Sequence, residues 1–153
     1  MVIMNLNIFG VIIPRKTLTN RDLDKYVKIL DIPYYRGTFM LDELPKKIND
    51  IECGIVNFNL SFQQGTHWVC YYKKNTERMY FDSFGVITPI QVQKYLKTKN
   101  EFKNKIGVIQ RSSDVLQSYN TVICGQYCLY FLKSISLGNT YRQTIDNLTQ
   151  RDL

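Results

Sequence analysis

The spacing of hydrophobic positions near the amino terminus predicts an extended segment followed by a helix. Residues 1–17 are largely apolar, but asparagines interrupt them and a proline and an arginine close them, which is typical of an extended arm rather than of a secretion signal. From Asn20 to Leu30 the apolar residues fall at i, i+3, i+4 and i+7, the period of an amphipathic helix, with Thr19 or Asn20 as its N-cap. Residues 34–50 lack a regular period and predict loops around a helical turn at 41–44.

The middle of the chain changes to short runs rich in β-branched and aromatic residues, which predict strands. Three such runs cover residues 53–59, 67–73 and 78–82. The polar link between the last two is short, as is typical of a hairpin. A fourth run, Ile106–Arg111, predicts another strand, and a loop from 112 to 121 follows it.

Three further helices are predicted in the second half of the chain. Thr88 is expected as the N-cap and Pro89 as the first residue of a helix that continues to about residue 97. An apolar run from Cys124 to Leu132 is too long for a typical strand, and a last amphipathic helix covers Tyr141–Leu148. With no repeats or linkers, the pattern predicts one α+β domain over residues 1–153.

Composition and charge narrow the chemistry that the chain can perform. The 153 residues carry a net charge of +7, which permits binding to a polyanion such as DNA, although the basic residues form no continuous block. The four cysteines are expected to be free thiols in a reducing compartment. The chain has a single histidine, His67, so a three-histidine metal site is excluded and any imidazole base must be this residue.

A cysteine nucleophile is the chemistry that the remaining polar residues favour. Cys124 stands where a polar loop meets a predicted helix, so unpaired N–H groups and the helix dipole would favour its thiolate, and Gly125 leaves room for a substrate backbone. His67 opens one predicted strand and Asp82 closes the next, so antiparallel pairing would bring them together. Gln117, on the loop before Cys124, could donate to the oxyanion.

Three motifs in this order resemble the adenovirus maturation protease (adenain) family, within the clan that also holds the Ulp/SENP deSUMOylating enzymes. The motifs are Gly65-Thr-His-Trp68, Tyr80-Phe-Asp-Ser-Phe-Gly85 and Gln117-Ser-Tyr-Asn-Thr-Val-Ile-Cys-Gly-Gln-Tyr-Cys128, and the match covers roughly residues 53–132. The segment Leu18–Asn59 looks closer to the adenain-like proteases of Polinton/Maverick transposons, adintoviruses and virophages. The resemblance implies a mixed central sheet flanked by helices.

The resemblance also implies a role for each matched residue. His67 would be the general base, Asp82 the acid that orients it, Gln117 the oxyanion donor and Cys124 the nucleophile. Trp68 would help to wall a narrow channel for small residues next to the scissile bond. Two departures from the adenovirus pattern are visible: Asp82 stands where many adenovirus enzymes carry Glu, and no cysteine lies between Cys70 and Cys124 to join an activating peptide by a disulfide.

Other interpretations of the same residues remain open at the level of sequence. His67 and Cys124 could both be core residues, since free cysteines are commonly buried. Zinc binding by Cys124, Cys128, Cys70 and His67 is disfavoured, because the cysteine spacing is not that of a zinc site and metal would occupy the thiolate. Asp82 could be a turn residue and Gln117 an ordinary loop amide.

By resemblance, the expected function is a cysteine endopeptidase that cuts capsid or core precursors during virion maturation. No cofactor is required for the chemistry, while DNA and a viral peptide are expected activators. The protein is expected to be a monomer in the virion and the infected cell, neither secreted nor bound to a membrane. Two alternatives stand beside this one: an Ulp/SENP-like isopeptidase, in which the glutamine usually lies six residues before the cysteine rather than the seven found here, and an inactive binding module for DNA or protein.

Overall fold

A computed structural model describes residues 5–59, 67–99, 108–118, 121–150 and 153. Within these ranges the chain forms seven strands and four helices. In chain order they are β1 (Leu6–Ile8), β2 (Val11–Ile13), α1 (Asn20–Ile29), β3 (Tyr35–Met40), β4 (Ile51–Asn57), β5 (Trp68–Lys74), β6 (Glu77–Phe81), α2 (Ile90–Leu96), β7 (Ile109–Gln110), α3 (Cys124–Ser136) and α4 (Tyr141–Gln150).

A five-stranded sheet in the order β3-β4-β5-β6-β7 forms the centre of the structure. The pairs β4–β5 and β5–β6 are antiparallel, while β3–β4 and β6–β7 are parallel. The first apolar cluster covers one face of the sheet with residues of α1, α3, α4 and the β1–β2 hairpin. The second covers the other face with residues of α2 and the segment before β4. These findings confirm the predicted α+β class with a mixed sheet flanked by helices.

The predicted helix starts and the central hairpin have clear local causes. Thr19 caps α1 through a capping box with Asp22, whose carboxylate accepts from the Thr19 N–H at 2.9 Å. The β5–β6 turn uses Asn75 at φ 52°, a left-handed conformation that asparagine tolerates. The prediction for α2 is wrong by one residue, because Pro89 is the N-cap and Thr88 lies outside the helix, its carbonyl accepting from the Gln93 side chain.

Three strands escaped the sequence pattern. The stretch predicted as loops around a helical turn contains β3, an edge strand whose residues are mostly half-buried, so the alternation of apolar and polar residues is lost. The predicted arm is not one extended segment, because β1 and β2 pair as a hairpin across Phe9 and Gly10, both at positive φ. Of residues 108–111, the described part of the predicted fourth strand, Ile109–Gln110 form β7, while residues 106–107 lie outside the described ranges.

A buried carboxylate joins elements on the face of the sheet that α2 covers. Glu52 of β4 is fully buried and accepts hydrogen bonds from the Arg36 guanidinium at 2.8 Å and from the hydroxyls of Tyr71 and Tyr95. Three elements, β3, β5 and α2, are therefore tied to one side chain of β4. With its acceptors satisfied, Glu52 has a structural role on this face.

None of the helices in the described part of the chain combines the length and apolar character needed to cross a lipid bilayer.

Candidate active site

The antiparallel pairing of β5 and β6 brings His67 and Asp82 together. Cys70 pairs with Phe81 in this register, so His67, just before β5, lies beside Asp82, just after β6. The Nε2–H of His67 donates to Oδ1 of Asp82 at 2.7 Å, and the Asp82 side chain is 1% exposed. The N–H of Phe84 donates to the same oxygen at 2.8 Å. The contact expected from the hairpin is therefore present in the structure.

Cys124 is the first residue of α3, and this helix packs across β5 on the side opposite α2. The backbone N–H of Trp68 donates to Sγ of Cys124 at 3.3 Å, so the thiol lies beside the residue that follows His67. The N-cap residue Ile123 makes no side-chain cap. The first backbone N–H groups of α3, which lie next to the sulfur atom, therefore have no side-chain acceptor from the N-cap residue.

The imidazole of His67 is tuned by the groups around it. Burial alone lowers its pKa, but the hydrogen bond to Asp82, together with the charge of Asp82 and the proximity of Cys124, outweighs that effect and raises the pKa to about 9. Nε2 is engaged by Asp82, whereas Nδ1 is buried and has no partner in hydrogen-bond geometry within the described residues. Nδ1 is therefore the nitrogen that can exchange a proton with the Cys124 thiol.

Two phenylalanine rings enclose His67. The centroid of the imidazole lies 4.7 Å from that of Phe84 and 6.1 Å from that of Phe58, both with tilted planes. Only 14% of the His67 side chain remains exposed. The rings restrict the imidazole to one orientation and shield it from water, which strengthens its electrostatic interaction with Asp82.

Gln117 is held by both ends of its side-chain amide. Oε1 accepts from the Ser83 hydroxyl at 2.6 Å, and Nε2 donates to the Thr121 carbonyl at 3.0 Å. The residue is 2% exposed, and the loop that carries it is also tied to α3, because the Tyr127 hydroxyl donates to the Leu116 carbonyl. Gln117 therefore sits in a fixed conformation on the loop that leads into Cys124.

Trp68 and Gly125 lie in the wall beside Cys124. The Trp68 indole N–H donates to the Leu18 carbonyl at 2.9 Å, and the ring lines a cleft of about 340 Å³ with Thr17, Leu18 and residues of β3. A Cβ placed at Gly125 would meet side-chain atoms of Leu23, Leu18 and Trp68 at 3.2–3.4 Å. Close packing of α3 against this wall explains the glycine, and its contact with substrate stays a prediction.

The other three cysteines lie in the core. All four cysteines are free and buried. Burial raises the pKa of the Cys53 and Cys128 thiols, which disfavours the thiolate form that reacts with electrophiles. Among the described residues no group of three or more His, Cys, Asp and Glu side chains is arranged to hold a metal ion.

Sequence reasoning missed the residues that hold the site in place. Ser83 and Phe84 belong to the matched motif around Asp82, but the sequence analysis predicts no role for them. A serine and an aromatic residue directly after an expected catalytic acid could have indicated contacts with the site. Phe58 and Gln126 gave no comparable signal, because their contacts come from segments distant in the chain. Gly65, Thr66, Tyr119 and Asn120 of the motifs lie outside the described residues.

Comparisons with known proteins find likeness in structure. No protein-family model matches the chain, and no curated protein matches its sequence. A crystal structure of the protease pS273R of African swine fever virus (ASFV) is similar over 91% of this chain and 63% of its own, with 13% identity and a TM-score of 0.60. A selenomethionine structure of the same protease covers 65% of this chain and 41% of its own, with 19% identity and a TM-score of 0.50.

A structure of the SUMO protease Ulp1 also matches, at 16% identity and a TM-score of 0.49, over 89% of this chain and 75% of its own. This chain spans less than two thirds of the length of the pS273R protease. At such identities the likeness concerns the fold. The described residues therefore have the mixed-sheet fold of the pS273R protease, with helices on both faces.

Proposed function

We propose that the protein is a cysteine endopeptidase in which Cys124 attacks a peptide carbonyl. The observation that carries this proposal is the arrangement of three side chains from separate segments. His67 is bound through Nε2 to a buried Asp82, and its Nδ1 is without a partner among the described residues. The sulfur of Cys124 accepts the backbone N–H of Trp68, the residue after His67, at 3.3 Å. A nucleophile, a base and a group that orients the base are the parts that such catalysis needs.

The reaction follows from these positions. Nδ1 of His67 takes the proton of Cys124, and the sulfur bonds to the carbonyl carbon, whose oxygen becomes an oxyanion. The free N–H of Gln117 and the backbone N–H of Cys124 stabilise that charge. The C–N bond then breaks as His67 gives its proton to the leaving amine, which produces an acyl-enzyme. His67 next takes a proton from water, and the hydroxide bonds to the acyl carbon. The C–S bond then breaks, the acid is released, and His67 returns its proton to the Cys124 sulfur.

The cleft beside Trp68 supports a protein substrate bound in an extended conformation. It lies between the segment before α1 and strand β3 and includes Trp68, whose backbone N–H donates to Sγ of Cys124. Its lining combines apolar side chains with hydroxyl and amide groups. Such a lining suits a peptide chain, which offers backbone hydrogen-bonding groups along its length. The proposed substrates are capsid or core precursors cut after a small-residue motif, on the basis of the resemblance to adenain-like proteases.

A pair of substrates tests the function and separates it from the isopeptidase alternative. A fluorogenic peptide with glycine before the scissile bond is offered to the wild type, Cys124→Ala and Asp82→Asn, alongside an isopeptide conjugate of a ubiquitin-like protein. We expect cleavage of the peptide by the wild type and none by Cys124→Ala. Preference for the conjugate would favour the isopeptidase, and no Cys124-dependent cleavage of either substrate would contradict both.

The same proposal includes activation by DNA and by a viral peptide. It also includes activity in the virion and in the infected cell. The net charge of +7 supports contact with a polyanion. Peptide cleavage is measured with and without duplex DNA while the salt concentration rises, since phosphate contacts weaken steeply with salt. Cleavage that is indifferent to DNA at low salt would contradict DNA activation and leave the endopeptidase proposal intact.

A further inference from the structure

Ser83 connects the turn that carries Asp82 to the loop that carries Gln117. The Ser83 side chain is buried, with the residue 1% exposed, and its hydroxyl donates to Oε1 of Gln117 at 2.6 Å. Its carbonyl accepts the backbone N–H groups of Leu116 at 2.9 Å and of Gln117 at 3.1 Å. One residue thus makes three hydrogen bonds to the loop, two of them to Gln117.

The orientation of the Gln117 amide decides whether it can stabilise an oxyanion. The Thr121 carbonyl can only accept a hydrogen bond, so it selects the orientation in which Nε2 faces it at 3.0 Å. The Ser83 hydroxyl then binds the amide oxygen and opposes rotation of the side chain. This leaves the second N–H of Nε2 unused by either partner. A rotated amide would instead present its oxygen, which repels an oxyanion.

We propose that Ser83 is a positioning residue that keeps the Gln117 amide ready to donate to the oxyanion. The inference rests on the proposed function, because an oxyanion forms only if Cys124 attacks a carbonyl. It assigns two tasks to one turn: Asp82 orients the base, and the next residue orients the oxyanion donor. The hydrogen bond between Ser83 and Gln117 is buried, so the second task is protected from competition by water.

A double-mutant cycle tests the inference. Kinetic constants for peptide hydrolysis are measured for Ser83→Ala, Gln117→Ala and the double variant. Loss of an oxyanion donor lowers kcat by about 10²-fold or more, and loss of its orientation is expected to lower kcat by roughly 10-fold with KM little changed. In the Gln117→Ala background, Ser83→Ala should have no further effect, because the residue that it positions is absent. Ser83→Cys, a weaker donor of similar size, should fall between serine and alanine.

Two readouts separate positioning from a general loss of structure. Alkylation of Cys124 by iodoacetamide forms no oxyanion, so its rate should be the same in Ser83→Ala and the wild type. Ser134→Ala is the matched control, since it removes another fully buried hydroxyl, which bonds Thr144 at 2.8 Å in the α3–α4 pair. We expect this variant to lose stability comparably while its kcat is retained.

Several results would overturn the inference. They are a kcat for Ser83→Ala equal to that of Ser134→Ala, the same fold-loss from Ser83→Ala with and without Gln117, or an alkylation rate that falls in parallel with kcat. A wild type that alkylates at Cys124 but hydrolyses no substrate would instead overturn the proposed function, and the inference with it.

Discussion

At the residue scale, the site depends on how a few side chains are held. The sequence alone was enough to propose His67, Asp82, Gln117 and Cys124, because each chemical role admits few residue types and the chain has one histidine. The orientation of these groups could not be predicted. It depends on contacts such as the Phe84 ring against the imidazole and the Ser83 hydroxyl on the amide, and these exist only once the segments are packed.

The pKa of His67 gives a prediction that can be measured at a single signal. As the chain has one histidine, its imidazole protons can be followed by NMR without ambiguity. We expect a pKa of about 9 in the wild type. Asp82→Asn removes the largest contribution that raises it, so the pKa should fall by about one unit or more, and Cys124→Ala should lower it less. A wild-type pKa near 6.5, or one that Asp82→Asn leaves unchanged, would contradict the described environment.

At the element scale, the turn after β6 brings the two halves of the site together. The turn is closed by a hydrogen bond from the Gly85 N–H to the Asp82 carbonyl at 2.9 Å. Gly85 has a φ of +68°, and a Cβ there would lie 2.5 Å from the Ser113 carbonyl oxygen. Only glycine allows the turn to approach the backbone of the 112–117 loop this closely.

Replacing Gly85 is therefore expected to damage both stability and activity. Gly85→Ala adds the strain of positive φ, about 1 kcal/mol, to a contact that forces the backbone segments apart. We expect a loss of more than about 2 kcal/mol in the free energy of unfolding, together with lower kcat, as Ser83 separates from Gln117. Urea unfolding and peptide hydrolysis measure the two effects.

Gly138→Ala is the control for this prediction. Gly138 also has positive φ, at +98°, but a Cβ there meets nothing within 4 Å. It should lose only about 1 kcal/mol and keep its turnover. Equal losses of stability and activity in the two variants would show that the contact with the loop is unimportant.

Elements with a strong local signal were predicted well, and elements defined by their neighbours were not. Helix α1 has a capping box and a regular apolar stripe, and β4, β5 and β6 are dense in β-branched and aromatic residues. Strand β3 has neither signal, since it lies at the sheet edge and contains Gly37. It becomes a strand because β4 offers it a parallel partner, which is information that the local pattern does not contain.

At the scale of the whole molecule, the amino-terminal segment is joined to the helix that carries Cys124. Gln126, fully buried on α3 two residues after Cys124, donates through Nε2 to the carbonyls of Pro14 at 2.8 Å and Lys16 at 2.7 Å. These bonds join residues more than a hundred positions apart in the chain and hold the segment that lines the cleft through Thr17 and Leu18. No local pattern could have predicted them.

Loss of this connection should affect substrate binding more than chemistry. Gln126→Met keeps the volume of the side chain but removes both donors, so we expect a loss of about 1–2 kcal/mol in stability and a raised KM with kcat less affected. Gln93→Met is the matched control, because it removes a comparable bond to the Thr88 carbonyl at 2.8 Å, beside α2 on the far face of the sheet. If KM rises equally in Gln126→Met and Gln93→Met, the predicted effect of the Gln126 hydrogen bonds on substrate binding is contradicted.

The most direct test of the account is where an activity-based probe attaches. A peptide vinyl sulfone ending in glycine is incubated with the wild type, Cys124→Ala and His67→Ala, and the adducts are located by mass spectrometry. The account predicts one adduct, at Cys124, in the wild type, none in Cys124→Ala, and labelling slowed by about 10²-fold or more in His67→Ala. No adduct at Cys124, or adducts spread evenly over Cys53, Cys70 and Cys128, would contradict it.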